Sequence, residues 1–207
     1  MKIRLYIAAF FLLAGFSVCA QEATVERIFQ EELRSKNEQV TTIKSEFSQV
    51  REMAVLASKV SKKGTFYFAK PGNMLLAFVD GDYIKMTSEW FEMKNGANVV
   101  TTNVAANPAM RNLSSILSAC VAGDFNKMSN GFQVSYEQTT TEWVVKLLPQ
   151  RGKAASKIAC IEIRFDKSDM SLNLLKMAEK NGDYTAYTFT KKQLNTTINS
   201  ELFNISK

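Results

Sequence analysis

The chain contains no histidine. That absence removes the Ser-His-Asp triad, the Cys-His pair and the histidine-rich zinc or haem site. Cysteine is scarce, at three in 207 residues, and no two of them stand in a CxxC redox motif. The nine glycines are scattered singly, so no loop is built to cradle a phosphate. Proline occurs three times, too rarely for a fibrous or proline-rich disordered chain. No Ser-x-x-Lys box opens a helix, and acid pairs such as Glu31-Glu32 fall on a polar helix face. No catalytic residue, metal site or cofactor is expected, and the chain reads as a non-enzyme.

Blocks of like charge are also missing. The formal net charge is +6, but Lys62-Lys63 and Lys191-Lys192 are pairs rather than runs. A solvated surface explains them, and no nucleic-acid partner is expected.

Apolar residues are plentiful, at 46% of the chain, enough for one domain with a substantial core. The first twenty stand apart. "MKIRLYIAAFFLLAGFSVCA" begins with Lys2 and Arg4, continues apolar from Leu5 to about Phe16, and ends in Val18-Cys19-Ala20. This is the order of a secretory signal peptide with a small-residue cleavage site. The apolar run is short for a spanning helix, and no stop-transfer segment follows it. Cys19 raises the alternative of a lipoprotein signal, but Phe16 and Val18 fit a lipobox poorly. Cleavage after Ala20 is expected, leaving residues 21–207 as one exported domain. Lys2 and Arg4 leave with the signal, so Lys+Arg falls from 26 to 24 against 20 acids, a charge of +4.

Cys120 and Cys160 then remain. In an exported protein an even pair suggests a disulfide, worth about 4 kcal/mol in the chain-entropy picture. Cys120 falls on the apolar side of a predicted helix. Cys160 falls in a predicted strand, on the side away from Ala159, Ile161, Ile163 and Phe165. Two buried thiols are the alternative.

"ATVERIFQEELRSKNEQV" sets Val25, Ile28, Phe29 and Leu33 at helical spacing with Thr24 as N-cap, which predicts an amphipathic helix of about four turns. "TIKSEFSQVREM" alternates through Ile43, Ser45, Phe47 and Gln49. Strand-like runs follow at 64–70, 74–79, 83–87, 90–94 and 99–103. Asp80-Gly81 and Asn95-Gly96 join them as type I′ hairpin signals. One helix interrupts, with Asn107 as N-cap, Pro108 at its first position, a stripe of Met110, Leu113, Leu117 and Cys120, and Gly123 as its stop. Strands resume at 131–138, 142–148, 157–166, 170–179 and 184–191, with a basic polar loop at 150–156.

The fold class is therefore α+β, with about eleven antiparallel strands and two helices. So many strands should curl strongly, and the two helices could plug the mouth of the concave face. This accounts for "KKGTFYFAKPGNMLLAFVD", whose strands are apolar on both sides. Phe66, Phe68, Met74, Leu76 and Phe78 share one parity and are expected to face inward, with Tyr67, Leu75 and Val79 behind them.

The chain resembles the LolA family of periplasmic lipoprotein carriers. "IKSEFSQ" is similar to that family's L-x-A-x-F-x-Q entry into the first strand, through Ile43, Ser45, Phe47 and Gln49. "KGTFYFAKPGNM" is similar to G-x-L-x-V-K-R-P-x-x-F, through Gly64, Phe66, Phe68, Lys70, Pro71 and Met74. The closing strand and the N…F-x-F that follows it correspond to Asn195 and Phe203. The resemblance spans nearly all of residues 21–207. It implies an incomplete barrel with a helical lid that holds the acyl chains of lipoproteins on their way from inner to outer membrane. The implied partners are acylated lipoproteins or other lipids, an inner-membrane ABC lipoprotein-releasing transporter and an outer-membrane acceptor. A monomer is expected. Phe47, Phe66, Phe68, Met74, Leu76, Phe78, Trp90, Met110, Leu113 and Leu117 are the candidate cavity residues. The family's lid-latching arginine is replaced by Lys70, which lacks the guanidinium fork. The aromatic after it is Met74, an adaptable lining for acyl chains. Carriage of another hydrophobic product, or a lipid-sensing or interaction domain on the same fold, are the alternatives. A sensor would be joined to a signalling segment, and the sequence ends at Lys207 without one.

Overall fold

The computed structural model describes residues 24–106, 108–122, 125, 128, 131–150 and 157–206. The expected signal peptide, Asn107, Gly123 and the loop at 151–156 lie outside them.

Helix α1 covers residues 24–38. Its inner stripe is narrower than the spacing predicts. Phe29 and Leu33 are fully buried, Val25 is partly so, and Ile28 faces solvent. Arg27 and Glu31 pair across one turn of the exposed side.

Eleven strands follow in two meanders. The first is β1 (Thr42–Met53), β2 (Ser58–Ala69), β3 (Asn73–Phe78), β4 (Tyr83–Met86), β5 (Trp90–Asn95) and β6 (Asn98–Asn103). Helix α2 (Pro108–Ala122) leads to the second, which comprises β7 (Phe132–Gln138), β8 (Glu142–Pro149), β9 (Ile158–Asp166), β10 (Leu172–Glu179) and β11 (Tyr184–Leu194). The meanders join where β11 pairs antiparallel with β1, in the order β6-β5-β4-β3-β2-β1-β11-β10-β9-β8-β7. β6 and β7 are the two free edges, so the sheet curves without closing. This is the α+β incomplete barrel read from the sequence.

Turn chemistry differs in detail. Gly81, Gly96 and Gly182 take positive φ, but Asp80 and Asn95 do not. The expected type I′ turns, which need positive φ at both central residues, are absent there. Strand β10 begins at Leu172 rather than residue 170, because Met170 bends into the left-handed region at φ 57 and buries its side chain in the core. β2 begins at Ser58, six residues before its predicted start, so β1 and β2 form one long hairpin capped by a 3-10 turn at Ala54–Leu56.

One apolar core lies in the hollow of the sheet. Ile43, Phe47, Phe66, Phe68, Met74, Phe78, Met86, Phe91 and Phe189 meet it from the β1–β5 side and β11. Val145, Leu147, Ile161, Ile163 and Phe165 meet it from β8 and β9. Gly64 is required here by close approach. A Cβ at this position would lie 2.2 Å from the carbonyl oxygen of Ala77 and 2.7 Å from the Phe47 ring.

The convex face is covered locally. The 3-10 turn Ser200–Phe203 packs against β3, with Phe203 buried. Glu92 on β5 has no exposed surface. Its carboxylate accepts hydrogen bonds from Tyr83 Oη at 2.9 Å, Thr101 Oγ1 at 3.3 Å and the Ser206 N–H at 2.7 Å, with Lys85 Nζ at 3.5 Å. Burial opposes its ionisation, but these partners together hold the carboxyl below the ordinary glutamate value.

Gly64→Ala is expected to destabilise the fold by about 1–3 kcal/mol, the usual cost of overpacking, as measured by urea denaturation. A depressed carboxyl contributes stability above its ordinary range, near pH 4.3, and loses it as pH falls through the folded-state value. The protection of residues 200–206 against hydrogen–deuterium exchange, relative to the intrinsic rate at each pH, should therefore fall in acid, and in Glu92→Gln it should already be low at neutral pH.

Candidate functional site

Among the described residues, three cavities border Met74. The largest, about 410 Å³, is an open groove between the end of α1, the β2–β3 turn and α2. Phe68 and Met74 form its apolar floor, and Arg34, Asn37, Lys70 and Ser118 form its rim. Two enclosed apolar spaces lie deeper. One, about 60 Å³, touches Phe66, Met74, Leu76, Ile84, Leu117 and Phe189. The other, about 50 Å³, touches Phe66, Met74, Leu117, Phe189, Met170 and Cys120. Met74 borders all three.

The strand register explains this convergence. Phe68 pairs with Met74, and Phe66 with Leu76, so their side chains share the concave face. Met86 pairs with Met74 and Ile84 with Leu76, extending the same face by one strand.

Lys70 closes the groove at the end of α1. Its ammonium donates to the carbonyl oxygens of Asn37 at 2.9 Å and Glu38 at 3.2 Å. A cation there meets the negative end of the helix dipole. Asn37 Nδ2 in turn donates to the carbonyl of Cys120 on α2 at 3.4 Å. One chain of contacts thus links the β2–β3 turn to α1 and α1 to α2.

Phe66, Met74, Leu76 and Leu117 border the enclosed spaces, and Phe68 and Lys70 border the groove. Phe47 and Phe78 face the same hollow but pack on each other edge-to-face at 5.1 Å, as core. Trp90 is a correction. Phe91 is the inward residue, opposite Met86, so Trp90 takes the parity of Glu92 and the convex face. The side chains of Met110 and Leu113 lie outside those described. Sequence reading missed Ile84, Met170, Leu175, Met177, Tyr187 and Phe189, which also line the interior. Strand alternation carried the signal for Tyr187 and Phe189, since Phe189 lies opposite Phe47. Burial raises the Tyr187 phenol above its ordinary value, although Gln49 Nε2 donates to its oxygen at 2.7 Å.

The expected disulfide is also corrected, because both cysteines are free. Cys120 is buried among the concave core, and burial pushes its thiol up to about 12. Cys160 alternates with the buried Ile161 and shares its face with Glu162, on the other side of the sheet. The sheet itself separates the two sulfurs.

Among the described residues no group of histidine, cysteine or acidic side chains is placed to hold a metal. No described helix is long and apolar enough to cross a membrane.

A curved antiparallel sheet, apolar within and capped by helices, is the architecture of a container for hydrophobic ligands. Residues 38–206 match the family described as outer membrane lipoprotein carrier protein LolA. The chain belongs to that family, whose members are periplasmic, non-catalytic carriers, and it has their lipoprotein- or lipid-binding fold. No curated protein matches it significantly. Among solved structures it is similar to an uncharacterized conserved protein from Thermus thermophilus, with 10% identity, 86% of this chain and 93% of that one covered, and a TM-score of 0.52. It is also similar to a DUF1329 family protein from Desulfovibrio piger, with 10% identity, coverage of 88% and 97%, and a TM-score of 0.48. A third is a lipoprotein-sorting protein domain from Vibrio parahaemolyticus, described as putative, with 8% identity, coverage of 85% and 94%, and a TM-score of 0.46. At these identities the likeness concerns the fold alone.

Iodoacetamide at mild pH is expected to leave Cys120 unlabelled in the native protein, because a thiol raised to about 12 forms almost no thiolate. In denaturant without reductant both Cys120 and Cys160 should react. Lys70→Met, by releasing the end of α1, should accelerate native labelling of Cys120 severalfold.

Proposed function

We propose that this protein carries the acyl chains of lipoproteins between the inner and outer membranes, as a monomer in the periplasm. The supporting observation is the set of apolar spaces that meet at Met74 under α2. Each acyl methylene left in water costs about 0.8 kcal/mol, so a lipid crossing an aqueous compartment needs such a container.

The enclosed spaces are far smaller than ordinary ligand sites, which occupy roughly 300–1,000 Å³. Loading an acyl chain therefore requires α2 to lift and Met74 to swing aside. In this reading the acyl chain enters by the groove beside Lys70, passes Met74 and lies along Phe66, Leu76, Leu117 and Phe189. An ABC transporter of the inner membrane supplies the cargo and an outer-membrane acceptor takes it. The signal peptide directs export and is removed after Ala20.

Native mass spectrometry of the protein purified from the periplasm without detergent tests this. The expected result is an added mass that extracts as an acylated lipoprotein, and its loss in Met74→Glu with the fold intact. An extracted lipid without protein would replace lipoprotein by another hydrophobic cargo. A clean unloaded mass, with no uptake of supplied acylated peptide, overturns the carrier reading.

A further inference from the structure

The largest exposed aliphatic side chains outside the hollow include two neighbours, Val55 at 83% and Leu56 at 68% exposure. Both sit in the 3-10 turn that caps the β1–β2 hairpin. The turn is held in shape. Ala57 ends it in the left-handed region at φ 44, and its N–H returns to the Ala54 carbonyl. The Ala54 N–H is bound by Asp183 Oδ1 at 2.9 Å, from the neighbouring β10–β11 turn. Gly182 of that turn comes so near that a Cβ would lie 3.1 Å from the Ala54 side chain. Burying neither valine nor leucine, this fixed geometry presents both outward.

The charges around the tip are unequal in availability. Glu52 accepts a hydrogen bond from Tyr184 Oη, and Asp183 is engaged by Ala54 and Asn181. Arg51 and Lys59 flank the turn on β1 and β2, and Lys180 opens the adjacent turn. All three are exposed, and among the described residues none is in an ion pair. Two outward aliphatic side chains ringed by uncommitted cations complement the surface of an anionic bilayer. They offer an apolar wedge for the acyl region and ammonium and guanidinium groups for the phosphates. A tip this small is far below the roughly 800 Å² per partner of a stable protein interface.

We propose that the β1–β2 tip is a membrane-docking element, with Val55 and Leu56 inserting between anionic phospholipids and Arg51, Lys59 and Lys180 holding the headgroups. The tip lies at the opposite end of β1 from Lys70, about 40 Å along the strand at the usual rise per residue. A docked molecule therefore keeps its groove clear of the lipid surface and open to a protein donor or acceptor.

Co-sedimentation with vesicles tests this without any cargo. The purified protein should pellet with phosphatidylcholine–phosphatidylglycerol vesicles at low salt, and far less with phosphatidylcholine alone. Val55→Ser combined with Leu56→Ser should weaken binding by about tenfold or more, as expected when aliphatic groups of this size are removed from the apolar phase. Lys59→Glu with Lys180→Glu should abolish the preference for anionic vesicles. Because the tip lies outside the core, both variants should keep the wild-type melting temperature and the uptake of acylated peptide, which separates this proposal from the carrier reading. Wild-type protein that ignores anionic vesicles would assign the tip to a partner protein's pocket and overturn the proposal. So would serine variants that bind like wild type, or equal binding to both vesicle types.

Discussion

Everything in this molecule depends on keeping water off the concave face of one large sheet. Eleven antiparallel strands present a continuous apolar hollow, and two helices share the work of covering it unequally. Helix α1 fills its part densely. Phe29 lies 5.4 Å from Phe165, 5.6 Å from Trp143 and 5.3 Å from Tyr136, ring to ring, contacts that add to the area it buries. Among its described side chains, helix α2 contributes Ile116, Leu117, Ala119 and Cys120, and spaces remain beside Met74 and Leu117. Close packing on one side and small voids on the other divide the hollow into a structural half and a deformable half. A void costs stability because its walls lose contact partners.

Departures from the family pattern fall in the deformable half. An arginine at position 70 would grip carbonyls with a planar fork, whereas Lys70 reaches the end of α1 as a point charge with freely rotating donors. Two carbonyls at a helix terminus suit a compact cation, so Lys70 still contacts the end of α1, in another form. Its connection to α2 runs through the Asn37 side chain at 3.4 Å, near the limit for a hydrogen bond and easily broken. The contacts to the end of α1, at 2.9 and 3.2 Å, are thus shorter than the one from α1 to α2. Met74 suits the deformable half, because an unbranched thioether changes rotamer more readily than an aromatic ring.

Much of this was legible in the residues. Alternation in β2 and β3 placed Phe66, Phe68, Met74, Leu76 and Phe78 on one face, and the structure keeps all five there. The strand count followed from turn glycines and short connections. Trp90 failed because an error of one residue in a strand's phase inverts every side chain, and the three residues between β4 and β5 left that phase open. The disulfide failed because its two sulfurs lie on opposite sides of a sheet, a relation that sequence separation does not encode. The long β1–β2 hairpin was missed because its turn has neither glycine, proline nor asparagine and places Ala57 at positive φ instead. Glu92 gave no sign of burial, since its donors come from β4, β6 and the distant Ser206.

Apolar residues on both sides of β3 have two separate causes. Met74, Leu76 and Phe78 serve the hollow. Leu75, behind them, is only 5% exposed because the segment carrying Phe203 folds back over the convex face at β3. Burial of Leu75 and Phe203 alone would hold that segment with little preference for one position, since hydrophobic contact is not directional. Glu92 supplies the direction. Its carboxylate takes the Ser206 N–H at 2.7 Å, while Lys85 donates to the Asn204 carbonyl at 2.8 Å, so two opposite charges on adjacent strands pin two backbone groups two residues apart. Desolvating a carboxylate here is unfavourable by itself, and it is tolerated because four partners surround it. Buried groups of the convex face thus fix the segment around residues 200–206, while the concave face leaves its own packing incomplete.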